Sequence, residues 1–152
     1  MKLLAVVFAA GWSLLAADFS GVKTVYLLPM SGGLDQYLAI RLSNDGAFRV
    51  VTDPQKADAI FTDRIGVNFE QALSDLYAPK KAQDGKMSSD EVTRPPTQPF
   101  ARGKGSMFLV DRQSHEVLWS TYAVSKSTKS QDLNQLASKI VAELDKSRAG
   151  KK

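Results

Sequence analysis

The chain has 152 residues, 43% of them hydrophobic and 24% charged, enough apolar content for one domain with its own core. Its formal charge of +4 is carried by lysines and arginines scattered over one loop and the carboxyl end; no basic stripe interleaved with aromatics points to nucleic acid. The absence of cysteine excludes disulfides, thiolate metal sites, a cysteine nucleophile and a lipid-modified amino-terminal cysteine, and the single histidine, His115, leaves no histidine cluster for a metal.

Residues 1–17, MKLLAVVFAAGWSLLAA, have a short basic start, an apolar middle and small residues at the end. That is the layout of a secretory signal peptide, with cleavage expected after Ala16 or Ala17. The apolar run is shorter than the roughly 20 residues a membrane span needs. No later stretch is long and apolar enough, so the mature chain is expected to carry no transmembrane segment and to be periplasmic or secreted. Residues 18–148 are read as a single α/β domain and 149–152 as a basic tail.

Val22–Leu28 is β-branched and aromatic, apolar on both faces after Lys23, and reads as a sheet strand covered on both sides. Pro29 ends it and Ser31-Gly32-Gly33 turns the chain. Leu34, Leu38 and Leu42 then recur at helical spacing, and Asn44-Asp45-Gly46 closes the helix, with glycine supplying the left-handed cap. Phe48–Thr52 is a second strand, followed by a turn at Asp53-Pro54. Ala57–Val67 reads as a third, longer strand, whose polar Asp58, Thr62 and Arg64 share one parity and predict a wetter face. Asn68–Tyr77 fits a short helical turn as well as a strand end.

Residues 78–105 contain four prolines and few core residues, and are read as a disordered inserted loop. Within it, Phe100 with Arg102 and Lys104 is the part suited to dock onto a partner. Ser106–Val110 and Val117–Val124 form a hairpin around a polar turn that holds His115, read as an exposed loop residue. Strand parity sends Trp119 and Tyr122 to opposite faces, one towards the core and one to the surface. Leu133–Leu144 is a closing amphipathic helix with Ser130 or Asp132 as N-cap. The expected architecture is a mixed sheet of about five strands with two helices packed on it.

Ser31-Gly32-Gly33-Leu34-Asp35 is the sharpest short motif. It follows a buried strand and opens a helix, a place where backbone N–H groups and the helix dipole can hold an anion. The motif resembles the SGGxDS loop of PP-loop ATP pyrophosphatases, through Ser31, Gly32, Gly33 and Asp35, with Gln36 where that family has serine. The resemblance implies a nucleotide-binding enzyme in which Ser31 and the glycine amides grip pyrophosphate. The plainer reading is a turn that only reverses the chain. Val110–Ser120, VDRQSHEVLWS, resembles a hairpin of β-propeller repeats, but one copy does not make a propeller. Asp58, Asp63 and Asp75 have no metal-ligand spacing, and they, with Asp111 and Glu116 at the hairpin turn, are read as solvated charges.

Taken together, VYLLP, NDGAFRVV, ADAIFTDRI, FLVDRQSHEVLWS and LNQLASKIVAEL resemble a superfamily of bacterial envelope modules. It includes the TolB amino-terminal domain, CsgG-like proteins and LpoB-like activators of peptidoglycan synthases. The resemblance covers about Val22–Leu144 apart from the long loop. It implies a non-enzymatic α/β module without cofactor or metal, which binds other envelope proteins or associates with itself. A polymer-binding module using Trp119 or Tyr122 is a further alternative.

Overall fold

A computed structural model of the chain describes residue 19, residues 21–78 and residues 105–150. The expected signal peptide, the loop residues Phe100, Arg102 and Lys104, and the last two lysines lie outside these described residues. The elements in order are β1 (Thr24–Leu27), α1 (Leu34–Asp45), β2 (Arg49–Val50), β3 (Ala59–Thr62), α2 (Val67–Tyr77), β4 (Ser106–Asp111), β5 (Val117–Tyr122) and α3 (Ser130–Ala149). The architecture is α/β: a five-stranded mixed sheet in the order β2-β1-β3-β4-β5, with three helices against it. β1 runs parallel to both β2 and β3, whereas β3–β4 and β4–β5 are antiparallel.

Alternation along the strands divides the core into two layers. Val25, Ala59, Phe61, Met107 and Leu109 face α1 and α3, which supply Leu34, Leu38 and Leu42, and Leu133, Leu136, Ile140 and Leu144. Leu28, Ile60 and Val110 face α2 through Phe69 and Leu73. Each of these leucines and phenylalanines contributes about 1.5–3 kcal/mol by leaving water. Phe19, preceding the first strand, is 2% exposed and belongs to the larger layer.

Gly46 closes α1 in the left-handed conformation (φ 66°), as Asn44-Asp45-Gly46 requires. Asp53 accepts a hydrogen bond from the Gln55 N–H (3.0 Å) and starts a single helical turn at Pro54. Trp119 packs against the core, its indole N–H donating to Ser147 Oγ at 3.1 Å, while Tyr122 lies outside.

Four expectations are corrected. The third strand is four residues long, and all four are buried, Thr62 included, so its polar parity makes no wet face. The Thr62 hydroxyl is satisfied locally: it donates to the Arg64 carbonyl at 3.0 Å and accepts from the Arg64 N–H at 3.2 Å. Beyond it Gly66, with φ 71° and ψ −147°, breaks the extended run, and the ambiguous stretch becomes the third helix. α3 begins three residues before Leu133, with Lys129 and neither Ser130 nor Asp132 in the cap position; Asp132 sits in the first turn and accepts from the Ser127 hydroxyl. Asp63 is not a solvated charge: it is buried and binds the Ser31 N–H, whereas Asp58 is exposed as expected but also accepts from the Lys23 and Thr24 N–H groups.

Candidate functional site

The carboxyl ends of β1 and β3 lie side by side in the parallel part of the sheet. From β1 the chain passes to α1 on one face, and from β3 to α2 on the other. This divergence is a topological switch point, where open α/β sheets form a crevice. Two loops make its walls: residues 28–35, and Asp63 to Gly66.

Both glycines of the first loop are left-handed, Gly32 at φ 70° and Gly33 at φ 76°, which explains a Gly-Gly pair at this position. Gly33 is also the N-cap of α1, without a side-chain capping bond. The loop leading into the helix is held by carboxylates instead. Met30 N–H donates to Asp35 Oδ1 at 3.0 Å, and both the N–H and the hydroxyl of Ser31 donate to Asp63 Oδ2 at 3.3 Å. The other oxygen of Asp63 takes Arg64 Nε at 3.0 Å, while a terminal nitrogen of Arg64 reaches the Pro29 carbonyl at 2.9 Å. Gln36 donates to Asp35 Oδ2 at 2.7 Å.

The geometry thus gathers Ser31, Gly32, Gly33 and Asp35 together and adds Asp63 and Arg64, which sequence reasoning missed. The available signal was an Asp-Arg pair directly after a buried strand. Asp63 is only 6% exposed, and its charge is compensated by Arg64 and two Ser31 donors. The Met30 and Ser31 amides point at the protein's own carboxylates. An incoming phosphate would have to displace them and face the charges of Asp35, in the first turn of α1, and of Asp63. Chemically the arrangement is a clamp holding the two diverging loops together.

At the opposite end of the sheet, a cleft of about 300 Å³ is lined by Gly21, Val22, Asp58, Asp111, Arg112 and Leu118. Asp58 Oδ2 accepts from the Lys23 and Thr24 N–H groups, each at 2.9 Å, and these bonds hold its carboxyl below the ordinary value of 3.8. Asp111 Oδ1 accepts from the Gln113 and Ser114 N–H groups, both at 2.8 Å, and it too is held low, chiefly by Ser114. Arg112 donates to the Ala57 carbonyl at 2.6 Å. These charged groups tie the hairpin turn to the starts of β1 and β3. Among the described residues, no group of three or more His, Asp or Glu side chains is placed to hold a metal ion.

His115 is exposed, with φ 58°; its Nδ1 lies 2.8 Å from Glu70 Oε1, and its ring meets Phe69 edge-on at 5.8 Å. It fastens the hairpin turn to the first turn of α2.

The remaining feature is a strand edge. β5 ends the sheet. The Ala123 N–H donates inward to the Gly105 carbonyl at 2.7 Å, so by alternation the backbone groups of Ser120 and Tyr122 point away from β4. From Val117 to Ser125 this edge carries no charge and no proline, though a β-bulge between Val117 and Trp119 interrupts its regular pairing. Tyr122 is 70% exposed and Val124 57%. No helix among the described residues is long and apolar enough to cross a membrane. The chain matches no family model, no curated protein and no solved structure.

Proposed function

We propose that this chain is an exported binding or assembly component of the bacterial cell envelope, working by contact with other envelope proteins and not by catalysis. The observation that carries this reading is the open, uncharged edge of β5, a template for strand addition by a protein partner. The layout of residues 1–17 supports export. The clamp at the switch point supports a binding role, because its polar groups are spent on holding loops.

The test expresses the full chain in a bacterium and determines the mass and amino-terminal sequence of the product in each cell fraction. A photo-crosslinking residue at position 122 then reports its neighbours in intact cells. A product starting at Ala17 or Asp18 outside the cytoplasm, crosslinked through position 122 to an envelope protein or to its own copy, is the expected result. An unprocessed cytosolic product, or a turnover activity lost on changing one polar residue of the switch point, would overturn the proposal.

The exposed ring of Tyr122 favours one second reading, a polymer-binding face. Retardation of the purified protein in gels containing peptidoglycan or polysaccharide fragments, abolished by Tyr122→Ala, would single it out.

A further inference from the structure

α2 is tied to the rest of the molecule more lightly than the other two helices. It presses two buried side chains, Phe69 and Leu73, into its layer, where α1 contributes three to the other layer and α3 six. α3 is further bonded to Ala47, Trp119 and Thr121, and α1 is joined to it by Arg41 Nε donating to Asn134 Oδ1 at 3.1 Å. Among the described residues, one side-chain hydrogen bond leaves α2, from Glu70 to His115. Both partners are exposed, and an exposed pair of this kind adds little against water.

The approach to α2 has the form of a hinge. Up to Arg64 the chain is fixed, by Asp63 on Ser31 and by Arg64 on the Pro29 carbonyl. Two residues on, Gly66 has φ 71° and ψ −147°, close to a region that glycine alone enters readily. A Cβ there would meet nothing within 4 Å, so the glycine answers to backbone conformation and not to space. Its neighbours Ile65 and Val67 are 48% and 82% exposed, and rotation at this point disturbs little packing.

We propose that α2 is a hinged flap: it pivots at Gly66, parts Glu70 from His115 and uncovers an apolar strip of the sheet, while the strands, α1 and α3 stay folded. The strip consists of Leu28, Ile60 and Val110, with the partly buried Tyr26 and Phe108 beside them. Opening of this kind belongs to the least anchored unit of a fold. The proposal goes beyond the envelope-binding reading and does not depend on it.

Hydrogen exchange of the purified protein tests it. The amides of Ala72 and Leu73, in the middle of α2, should exchange at least about a hundredfold faster than those of Leu42 and Leu144, with a shallower dependence on added urea. Ile140→Val trims a core side chain that the open form keeps buried. It should speed Leu42 and Leu144 about fivefold and leave Ala72 and Leu73 unchanged. Glu70→Ala removes the catch and should speed Ala72 and Leu73 about threefold.

The chain has no cysteine, so single thiols report which layer opens. Val110→Cys, under α2, should react with an aromatic disulfide reagent at least about tenfold faster than Val141→Cys in α3, although both positions are 1% exposed. Exchange in α2 as slow as in α1 and α3, an equal response of all four amides to Ile140→Val, or equal labelling of the two thiols would each overturn the proposal. Fast exchange in α2 with Val110→Cys still shielded would mean a helix fraying in place, and would overturn it as well.

Discussion

Ser31 gives both its backbone N–H and its hydroxyl to one oxygen of Asp63, across 32 positions of sequence and at 3.3 Å in each case. The other oxygen of that carboxylate holds Arg64. Replacing Asp63 by alanine leaves a guanidinium and two donors without their partner in a mostly buried place. The variant should lose about 3 kcal/mol of stability in urea unfolding, whereas Ser31→Ala, which removes one donor and orphans nothing, should lose about 1 kcal/mol.

Glycines 46 and 105 are both left-handed but differ in their surroundings. A Cβ on Gly105 would sit 2.6 Å from Val124 Cγ2 and 3.1 Å from the Ala123 carbonyl; on Gly46 it would meet nothing within 4 Å. Gly46→Ala should cost only the conformational term, about 1 kcal/mol, and Gly105→Ala distinctly more, about 3 kcal/mol once displacement of the strand end is included. Paired denaturation curves measure the difference.

Stability should fall on the acid side through Asp58 and Asp111. Their folded-state values are depressed, by backbone hydrogen bonds from Lys23 and Ser114 respectively. Their contribution is therefore present in full above the ordinary value of 3.8 and lost as pH drops below it, towards the folded values. Asp58→Asn and Asp111→Asn should each flatten the acid limb of a stability–pH curve. On the alkaline side burial, with Asp35 and Tyr77 nearby, raises Tyr26 above 10.0. Its contribution is present below that value and lost as pH rises through the folded one, and Asp35→Asn should lessen the loss.

Phe19 belongs to the folded body although it precedes the first strand. A chain beginning at Asp18 retains this ring, 2% exposed in the larger core layer; one beginning at Gly21 lacks it. The shorter chain should be less stable by about 3–4 kcal/mol in thermal or urea unfolding, the usual cost of deleting a buried phenylalanine. Phe19→Ala in the longer chain should reproduce most of that loss.

The helices that a one-dimensional reading resolved are those whose apolar residues recur without interruption, such as Leu34, Leu38 and Leu42 with Gly46 behind them. The hairpin was legible for the same reason, two apolar runs around a polar turn. α2 was not, because Ile65 and Val67 continue the β-branched character of β3 although both are exposed. Local propensity favours extending the strand; Gly66 and the pull of Asp63 on Ser31 stop it. The switch-point clamp was half legible. Ser31, Gly32, Gly33 and Asp35 lie together in sequence, but that Asp63 fills the place an anion would take depends on a contact between segments 32 residues apart, which no local pattern encodes.

α3 reaches both ends of the sheet. Arg148 donates to the Ala47 carbonyl at 2.7 Å and lies over Phe48 beside β2, while Ser147 and Glu143 take Trp119 and Thr121 of β5. The link from Arg148 to Ala47 spans 101 positions. One helix therefore couples the two edges of the sheet: whatever loosens α3 frees β2 and β5 together, although the two strands share no hydrogen bond.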